Sequence, residues 1–575
     1  MIIYHRRLPH LPRPLTERRG NIYIGGNTMK RLGLLTLPRA PLGVLALIIM
    51  VAGSAGTGAR ADNSSGASSY NMQLVGTNDL QARSTYQPTL HKYPGGRYIL
   101  FAGHHALALQ GEGRLPNAQP LPSFNPLTGR NELNGTSIVD VTNPRHPRYL
   151  FHLPVSDGVN GGAQMVRVCD GRTLPVHDNK IYMLRTYANS AHEIWDVAKP
   201  SQPVGVRTVA GGNPVIGAQT GAPEALAGTH KSWWECDTGI AYIVGRRGND
   251  TADGWGPGNH IFIFDLSNPA NPVFLRDWAL DGQQPGGQIP PHFTAVPSIH
   301  GPISTGPDGG AFQLAGATGN RVYLPFGTSS NGVMQVVDRL ALLPPPWGNG
   351  TTCGSIASTL DSPACTDFHT AELGRLIMNP DNGAHTSWPL GKLVVPDFVT
   401  DTGNDDNNTV RDIVVVTSEE TSHFCSDFRH LTFLTDVTTE GRPQSIATAQ
   451  VPASEGRYCD RGGRFGPHAT NEEYGPPFYQ KIVFVSYFNA GVRAFDIRDP
   501  YNPQQVAYFI PAITANTDYR CGPYQGNPNV CRIVVQTNNV ATDDRGYIYI
   551  VDRADTGLHV LQLEGEAAEI TGGGK

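Results

Sequence analysis

Four histidines occupy equivalent places in four separate segments of this 575-residue chain. His230, His300, His385 and His468 each stand near the start of a short run with β-strand character, in THKSWWECD, IHGPISTG, AHTSWPLG and PHATNEEYG. Histidine is the commonest metal ligand, and imidazoles converging from separate strands can hold a transition metal without a contiguous motif. The pattern therefore predicts an iron or copper site. The competing interpretation is that each ring only bonds a backbone carbonyl at a strand end.

Other polar residues are expected on the same face of the protein. Glu235, Glu472 and Glu473 follow two of the histidines on the same runs, and could accept hydrogen bonds that fix the tautomers of the rings. His104 and Glu419 stand at the ends of the second strands of their units and are predicted to be catalytic residues that assist proton transfer. The cations nearby favour an anionic or carbonyl-bearing small-molecule substrate. The residues predicted to bind it are His105, Arg185, Arg246, Asn489 and Arg553.

The elements that must position these residues are visible as a repeat. Four segments, SIVDVTNPRHP, EIWDVAKPSQP, FIFDLSNPANP and RAFDIRDPYNP, share an apolar run, an Asp, and Pro four and seven residues after the Asp. QVVDRLALLPPP and FLTDVTTEGRP are weaker copies, and LHVLQLEG keeps only the apolar pattern. Proline cannot donate to a β ladder, so the prolines belong in the turn between the third and fourth strands, where the Asp can accept hydrogen bonds from turn amides.

Each copy lies within a unit of four short β runs, which in the sixth unit are GPHATNE, KIVFVSYF, VRAFDI and QVAYFIPA. Seven four-stranded units predict an all-β fold, a seven-bladed β-propeller. The last unit lacks its fourth strand, and NMQLVGTND at residues 71–79 is expected to supply it and so close the ring. The first strand of a propeller blade lines the central channel, which would bring the four histidines to one channel mouth.

The repeats resemble those of the LVIVD-repeat propeller proteins, a family of largely bacterial exported propellers. GGRFGPHATNEE and YFNAGVRAFDIRDPYNPQQVAYFIP carry the resemblance most clearly, and it covers about residues 70–565. It implies the fold and export, and says little about a reaction. The histidine ring also resembles, in architecture alone, the four-histidine iron site of carotenoid-cleaving oxygenases and the histidine-rich copper site of methanethiol oxidase and selenium-binding proteins. These are seven-bladed propellers too, but none of their sequence motifs occurs in this chain.

The amino terminus predicts export. A basic start at Met29, an apolar run over 43–55 and the small-x-small triplet ending at Ala61 indicate a signal peptide at about 29–61, cleaved before Asp62. An uncleaved membrane anchor is the alternative. The chain is therefore expected to be periplasmic or secreted, with no membrane contact after cleavage. It divides into an extension and signal peptide (1–61), the propeller (62–565) and a disordered tail (566–575).

The amino-acid composition argues against nucleic-acid binding and favours disulfide bonds. The chain has 66 Gly and 46 Pro, 16% charged residues and a net charge of −5, so it has no basic excess for binding nucleic acid. Eight cysteines in an exported chain favour disulfides, although their connectivity stays open and Cys236 could instead be a free thiol. The candidate short-range pairs are Cys353/Cys365 and Cys521/Cys531. The candidate pairs with a longer separation are Cys425/Cys459 and Cys169/Cys236.

The sequence thus predicts an exported, metal-dependent oxidoreductase that acts on a small organic substrate through iron or copper. One alternative is a non-enzymatic propeller that binds a ligand or a protein. The other is a calcium-dependent hydrolase or lactonase, and DTGNDDNN at 401–408 is rich in the oxygen ligands that calcium prefers. Motifs of serine hydrolases, P-loop nucleotide-binding proteins and HExxH metalloproteases are absent from the sequence. The substrate and the oligomeric state stay open.

Overall fold

Seven antiparallel sheets follow one another along the chain as the blades of a β-propeller, which confirms the predicted fold. The computed structural model describes residues 66–105, 123–155, 162–212, 226–247, 255–285, 287–289, 296–310, 317–329, 331–350, 370–378, 381–395 and 410–572. All of these residues belong to the compact unit Ala59–Lys575. Among them, no helix is long and apolar enough to cross a membrane.

The first four blades are formed from consecutive strands. Blade one contains Thr85–Lys92, Tyr98–His104, Gly135–Asp140 and Arg148–Pro154. Blade two contains Val166–Asp170, Ile181–Tyr187, Ala191–Asp196 and Val204–Gly211. Blade three contains Leu226–Ala227, Ser232–Trp234, Ile240–Arg247, His260–Asp265 and Val273–Trp278. Blade four contains Ile303–Ser304, Arg321–Phe326, Val333–Asp338 and Glu372–Ile377.

Blade five is again formed from strands that follow one another in the chain, whereas blades six and seven each include one strand from the amino-terminal segment. Blade five contains Thr386–Val394, Val410–Thr417, Thr432–Asp436 and Gln444–Ala449. Blade six contains Ile482–Ser486, Val492–Asp496, Gln504–Ile510 and Ser68–Tyr70. Blade seven contains Thr537–Thr542, Tyr547–Asp552, Leu558–Leu563 and Met72–Asn78. The channel side of blade six is lined by the segment around Thr470, which forms an isolated bridge to Val485.

The amino-terminal segment closes the ring. Met72–Asn78 pairs antiparallel with the last strand of blade seven, so that Met72 lies opposite Leu563, as the sequence predicts for 71–79. Ser68–Tyr70 adds a second connection that the repeat does not reveal, because it pairs with the outer strand of blade six. Asn71 joins the two strands with a φ of 48°, and its side chain donates to the carbonyl of Val506. The segment therefore holds blades six and seven together.

The predicted role of the repeated Asp is confirmed in six blades. Each carboxylate accepts a hydrogen bond from the backbone amide two residues later, at 2.8–3.1 Å, and so holds the turn after the third strand. The six residues are Asp140, Asp196, Asp265, Asp338, Asp436 and Asp496. In blade four the same bond caps a short helix, Arg339–Leu342.

The core lies between neighbouring blades. Along the second strand of blade three, Ile240 and Tyr242 pack towards blade four, while Ala241 and Ile243 pack towards blade two. Successive side chains of a strand point to opposite faces, and both faces of each blade are covered, so these strands are apolar without interruption. Burial of each large apolar side chain contributes about 1.5–3 kcal/mol relative to exposure.

Further hairpins and short helices lie outside the seven blades. Two further hairpins pair Ser123–Asn125 with Arg130–Glu132 and Tyr519–Tyr524 with Asn527–Ile533. Short helices span Ala453–Glu455, a 3-10 turn, and Tyr458–Arg461 and Gly565–Ile570. The last of these corrects the prediction of a disordered tail from residue 566, because residues 566–570 are helical and Ala567 is fully buried against blades six and seven.

Three of the four predicted disulfides are present, Cys169–Cys236, Cys425–Cys459 and Cys521–Cys531. Cys353 and Cys365 lie outside the described residues, as do the predicted signal peptide and the 401–408 segment. Disulfides persist in oxidising compartments, so the three bonds indicate an extracellular or periplasmic environment.

Candidate metal centre

The four histidines occupy the same structural position in blades three to six. In each blade the backbone amide of the histidine donates to a carbonyl near the end of the second strand of that blade. The bonds run from His230 to Val244, from His300 to Pro325, from His385 to Thr417 and from His468 to Ser486, at 2.7–3.2 Å. Equivalent backbone anchoring directs all four side chains to the same end of the central channel.

The imidazole rings lie next to one another. Consecutive ring centroids are 4.1 Å apart for His230 and His300, 3.7 Å for His300 and His385, and 4.3 Å for His385 and His468. His300, His385 and His468 are buried, and His230 is partly buried. One ligand atom from each of His300, His385 and Glu419 lies within 4.8 Å of the other two. The structure thus brings together the four residues that the sequence grouped, and adds a carboxylate.

His468 has the hydrogen bonding expected of a metal ligand. Its Nδ1 is 2.6 Å from the carbonyl of Asn538, which can only accept, so Nδ1 carries the proton and Nε2 carries a lone pair. This Nε2 is buried, and it has no hydrogen-bond partner in the described part of the chain. A buried nitrogen with a fixed lone pair requires a donor or a cation. The nearest charged group is the carboxylate of Glu419, at 3.6 Å, which supplies neither when ionised.

The other three rings also have unsatisfied nitrogens. The Nε2 atoms of His230 and His300 are 2.7 Å apart, a contact that requires a shared proton or a shared cation. Two ligands bound at about 2.0–2.1 Å to one metal are about 3 Å apart when they are adjacent, so the contact suits neighbouring ligands. The Nδ1 atoms of His230, His300 and His385 are buried with no partner among the described residues. The donor set therefore fits a transition metal.

The surroundings keep the rings uncharged. Burial, together with the positive charge of Lys231, lowers the pKa of His230 to about 3. Burial likewise lowers the pKa of His300, His385 and His468 well below the usual value. Neutral imidazole is the form that binds metals, so the four rings are available as ligands at neutral pH.

Glu419 is the charged group closest to the rings. Its Oε2 is 3.7 Å from His385 Nε2, and its Oε1 accepts a hydrogen bond from Arg464 at 2.8 Å. Arg553 approaches the same oxygen at 3.8 Å. Burial raises the pKa of Glu419, and Arg464 partly opposes that shift. The carboxylate can therefore take up or release a proton beside the rings, and both arginines border the same space.

Tyr86 completes the ring in blade one, where the sequence showed no histidine. Its hydroxyl is 3.1 Å from His385 Nε2, and its ring centroid lies 5.1 Å from that of His230 and 5.3 Å from that of His468. Burial raises the pKa of Tyr86 well above its usual value, so the hydroxyl keeps its proton. The blade alignment contained a signal for Tyr86, because it stands at the start of the first strand of its blade. Arg464, which lies four residues before His468, was not predicted from the sequence either.

The three glutamates predicted to orient the rings have other partners. Glu472 pairs with Lys231 at 3.0 Å and with Arg167, farther along the channel. Glu473 accepts hydrogen bonds from the amide and hydroxyl of Thr542 in blade seven. Their positions follow from strand alternation, which turns neighbouring residues to opposite faces.

Glu235 lies between blades three and four. It accepts hydrogen bonds from Tyr242 and Ser304 and forms a two-pronged ion pair with Arg339. These three partners come from the strands and the short helix that meet there, so Glu235 braces this junction.

His104 and His105, the two predicted site histidines of blade one, differ in the residues that their rings contact. Thr85 donates its hydroxyl proton to the carbonyl of Arg83, so it accepts from His104 Nδ1 at 3.0 Å. The other nitrogen of His104 lies 2.6 Å from the Ser137 hydroxyl, so both ring nitrogens have partners within blade one. The catalytic role predicted for His104 stays a prediction. His105 instead faces the site, with its ring centroid 5.1 Å from that of Tyr86 and its Nε2 without a described partner.

The remaining predicted substrate-binding residues divide in the same way. Arg185 is buried, forms an ion pair with Glu193 at 2.6 Å and donates to the carbonyl of Leu153, so it joins blades one and two rather than facing the channel. Asn489 is buried and donates to the backbone of the Tyr458–Arg461 helix region. Arg246 is exposed at the end of a strand in blade three. Only His105 and Arg553 of this group are brought to the histidine ring.

Comparisons with known proteins add little to what the structure of this chain shows. No protein-family profile matches the chain, so the likeness to LVIVD-repeat proteins stays a prediction. No curated protein matches it either. Among solved structures, a hypothetical selenium-binding protein from Sulfolobus tokodaii is similar at a TM-score of 0.40 and 11% identity, over 76% of this chain and 89% of that one. A TM-score of 0.40 carries neither a fold nor an activity from one chain to the other. The propeller is established by the seven sheets of this chain.

Proposed function

We propose that this protein is an exported oxidoreductase that holds one iron or copper ion with His230, His300, His385 and His468 and acts on a small organic substrate. The observation that carries the proposal is the convergence of four uncharged imidazoles, one of which, His468, presents a buried lone pair that has no partner among the described residues. Imidazole suits iron and copper, whereas calcium takes oxygen ligands, so a calcium-dependent hydrolase fits this donor set less well.

Each of the residues around the rings would have a separate role in the reaction. The bound metal would supply redox or Lewis-acid chemistry. Burial keeps bulk water from the rings and keeps them neutral. Glu419 would take or return a proton, and the Tyr86 hydroxyl would hold a hydrogen bond beside His385. Arg464 and Arg553 balance the charge of Glu419 and would orient an anionic or carbonyl-bearing substrate.

The test is elemental analysis of the mature chain from Asp62 after reconstitution with Fe²⁺ or Cu²⁺. We expect the variant with all four histidines changed to Ala to hold about one equivalent of metal less than the parent. His468→Ala alone should weaken binding by more than the about 10–100-fold typical of losing a partner of a ligand. His559→Gln is the matched control, because His559 is also buried but lies on the third strand of blade seven.

Each outcome has a clear meaning. One equivalent of metal that is present in the parent and in His559→Gln, but is lost from a folded four-histidine variant, would support the centre and justify a screen for oxygen consumption with small organic substrates. No iron or copper in the reconstituted parent would overturn the proposal. A metal-free propeller that binds a ligand or a protein would then be favoured, with the rings held by the His230–His300 and Tyr86–His385 contacts.

The route of export is part of the same proposal. The three disulfides support an oxidising compartment. We infer that a signal peptide at about 29–61 directs the chain there and is removed before Asp62. Amino-terminal sequencing of the protein recovered from periplasm or medium should begin at Asp62, and a chain that retains residue 43 would contradict cleavage.

A further inference from the structure

A second group of potential metal ligands lies in blade five, outside the histidine ring. Glu420, Asp427 and His430 each offer one ligand atom, and the three atoms lie within 4.8 Å of one another. All three belong to the connection between the second and third strands of the blade, which end and begin at Thr417 and Thr432. The proposed reaction uses none of them.

His430 presents an unpartnered nitrogen to the two carboxylates. Its side chain is fully buried, and its Nδ1 lies 2.9 Å from the hydroxyl of Ser418. The other nitrogen, Nε2, is 3.8 Å from Asp427 Oδ2, too far for a hydrogen bond, and has no partner in the described segments. Ser418 already accepts a hydrogen bond from the Gly383 amide and can also accept one from Nδ1–H. In that tautomer the Nε2 lone pair points at the two acidic residues.

The carboxylates are held in place but remain able to bind. Glu420 is buried, and its Oε1 accepts from the amide of Ser422 at 2.7 Å. Asp427 accepts from the Ser422 hydroxyl and from the Phe428 amide, at 3.2 and 2.8 Å. These are single hydrogen bonds to oxygens that have further lone pairs. The Cys425–Cys459 disulfide anchors the same connection, so the group is built on a constrained loop.

A cation would relieve the electrostatic cost of this arrangement. Burial raises the pKa of Glu420 to about 8, and the negative charge of Asp427 adds to that shift. Two carboxylates beside a buried imidazole with a free lone pair are the ligand types that zinc takes at about 2.0–2.2 Å. Asp427 is about one-third exposed, so an ion can reach the site from solvent.

We propose that Glu420, Asp427 and His430 form a second metal site, specific for a zinc-like divalent ion, that is separate from the histidine ring. Three protein ligands leave one position of a tetrahedral site for water. Because the imidazole is a nitrogen donor, the site should prefer Zn²⁺ to Ca²⁺ and Mg²⁺, which favour oxygen ligands. The ion would fix the connection that begins at Glu419, the carboxylate of the first site, and would thereby tie the two sites together mechanically.

The experiment is a titration of the metal-free mature chain with Zn²⁺ against a chromophoric chelator, with the protein's disulfides intact. Asp427→Asn removes one charged ligand at an accessible position, and Glu455→Gln is its control, because Glu455 is an exposed carboxylate between blades five and six. We expect the parent and Glu455→Gln to bind one more equivalent of Zn²⁺ than Asp427→Asn, or to bind that equivalent at least about 10-fold more tightly.

His430→Gln provides a second variant and should lose the same equivalent. Near-ultraviolet circular dichroism would establish that each variant is folded. The test is independent of the ring, because the ring contributes equally to the parent and to Asp427→Asn whether or not it binds zinc. Equal zinc stoichiometry and affinity in the parent and in folded Asp427→Asn would overturn the proposal, as would a parent that binds no zinc.

Discussion

The same inner segments line the mouth and the interior of the central channel, but the two regions differ in whether their buried polar atoms have hydrogen-bond or ion-pair partners. At the mouth, His468 keeps a buried nitrogen without a partner among the described residues. Farther in, Lys231 and Glu472 form a buried ion pair at 3.0 Å, and Arg167 pairs with the same carboxylate. The charges of the interior pair with one another, whereas the mouth keeps a nitrogen lone pair for which the described residues supply no partner. This difference separates a structural cluster from a candidate binding site.

His104 shows that burial alone does not make this distinction. It is as buried as His468, and burial lowers the pKa of both rings well below the usual value. The two differ in their hydrogen bonds, because both nitrogens of His104 are within bonding distance of hydroxyls. The lowered pKa of a histidine therefore shows that its ring is buried. A ring nitrogen whose lone pair has no partner among the described residues shows that a binding partner can be accommodated there.

The largest expected effect comes from breaking the interior. Glu472→Gln would leave Lys231 and Arg167 without their carboxylate, and removing one partner of a buried ion pair costs about 3–5 kcal/mol. We expect the free energy of unfolding, measured in urea, to fall by that amount. Glu473→Gln is the control: burial raises the pKa of Glu473 to about 8, and a glutamine can accept the same bonds from Thr542. Similar losses in both variants would contradict the assignment of the interior as a paired cluster.

Acid should weaken the same ion pair. Burial by itself favours the protonated acid, but Lys231 and Arg167 outweigh it and lower the pKa of Glu472 from 4.5 to about 2. A carboxyl with a lowered pKa in the folded state stabilises the fold above its unfolded pKa, and this contribution is lost as the pH falls from about 4.5 towards about 2, on the order of 3 kcal/mol in all.

The measurement compares the parent with Glu472→Gln at several pH values. The difference in their free energies of unfolding should be constant between pH 6 and about 5 and shrink below pH 4.5, because only the parent has the titrating group. Subtracting the variant removes the contributions of the other carboxylates. A difference that does not change with pH would show that the charge of Glu472 is not what stabilises the interior.

The sequence predicted the fold and the register of the ring because both are repeated. Six Asp turns define the blades, and the histidines that stand at the same register in four consecutive blades must meet at the channel mouth. Tyr86 was missed because the register of its strand shifts between Thr85 and Gln87, so blade one does not align with the rest. The pairing of Arg464 with Glu419 joins blade six to blade five, and contacts between blades have no sequence period.

The errors at single residues have one physical cause. Consecutive residues of a strand face opposite sides, so a shift of one residue exchanges a site residue for a core residue. His104 and His105 are neighbours at such a strand end, and only His105 faces the ring. Arg185 lies within its strand rather than beyond it, where Glu193 on the adjacent strand pairs with it. Sequence patterning gives the strand but not the residue at which it ends.

The smallest expected effect sharpens the comparison between the two buried histidines. His104→Ala would remove the ring partner of the Thr85 and Ser137 hydroxyls, which keep the Arg83 carbonyl and the Tyr149 hydroxyl as partners, and the loss of such a hydrogen bond costs about 0.5–1.5 kcal/mol. We expect a loss of stability in that range, measured in urea, with the iron or copper content of the reconstituted protein unchanged. His468→Ala should do the reverse and lose metal with a smaller cost to the metal-free protein, because only the bond to the Asn538 carbonyl is removed. If His104→Ala lost metal while keeping its stability, hydrogen-bond satisfaction would fail as the criterion, and His104 would return as a residue of the site.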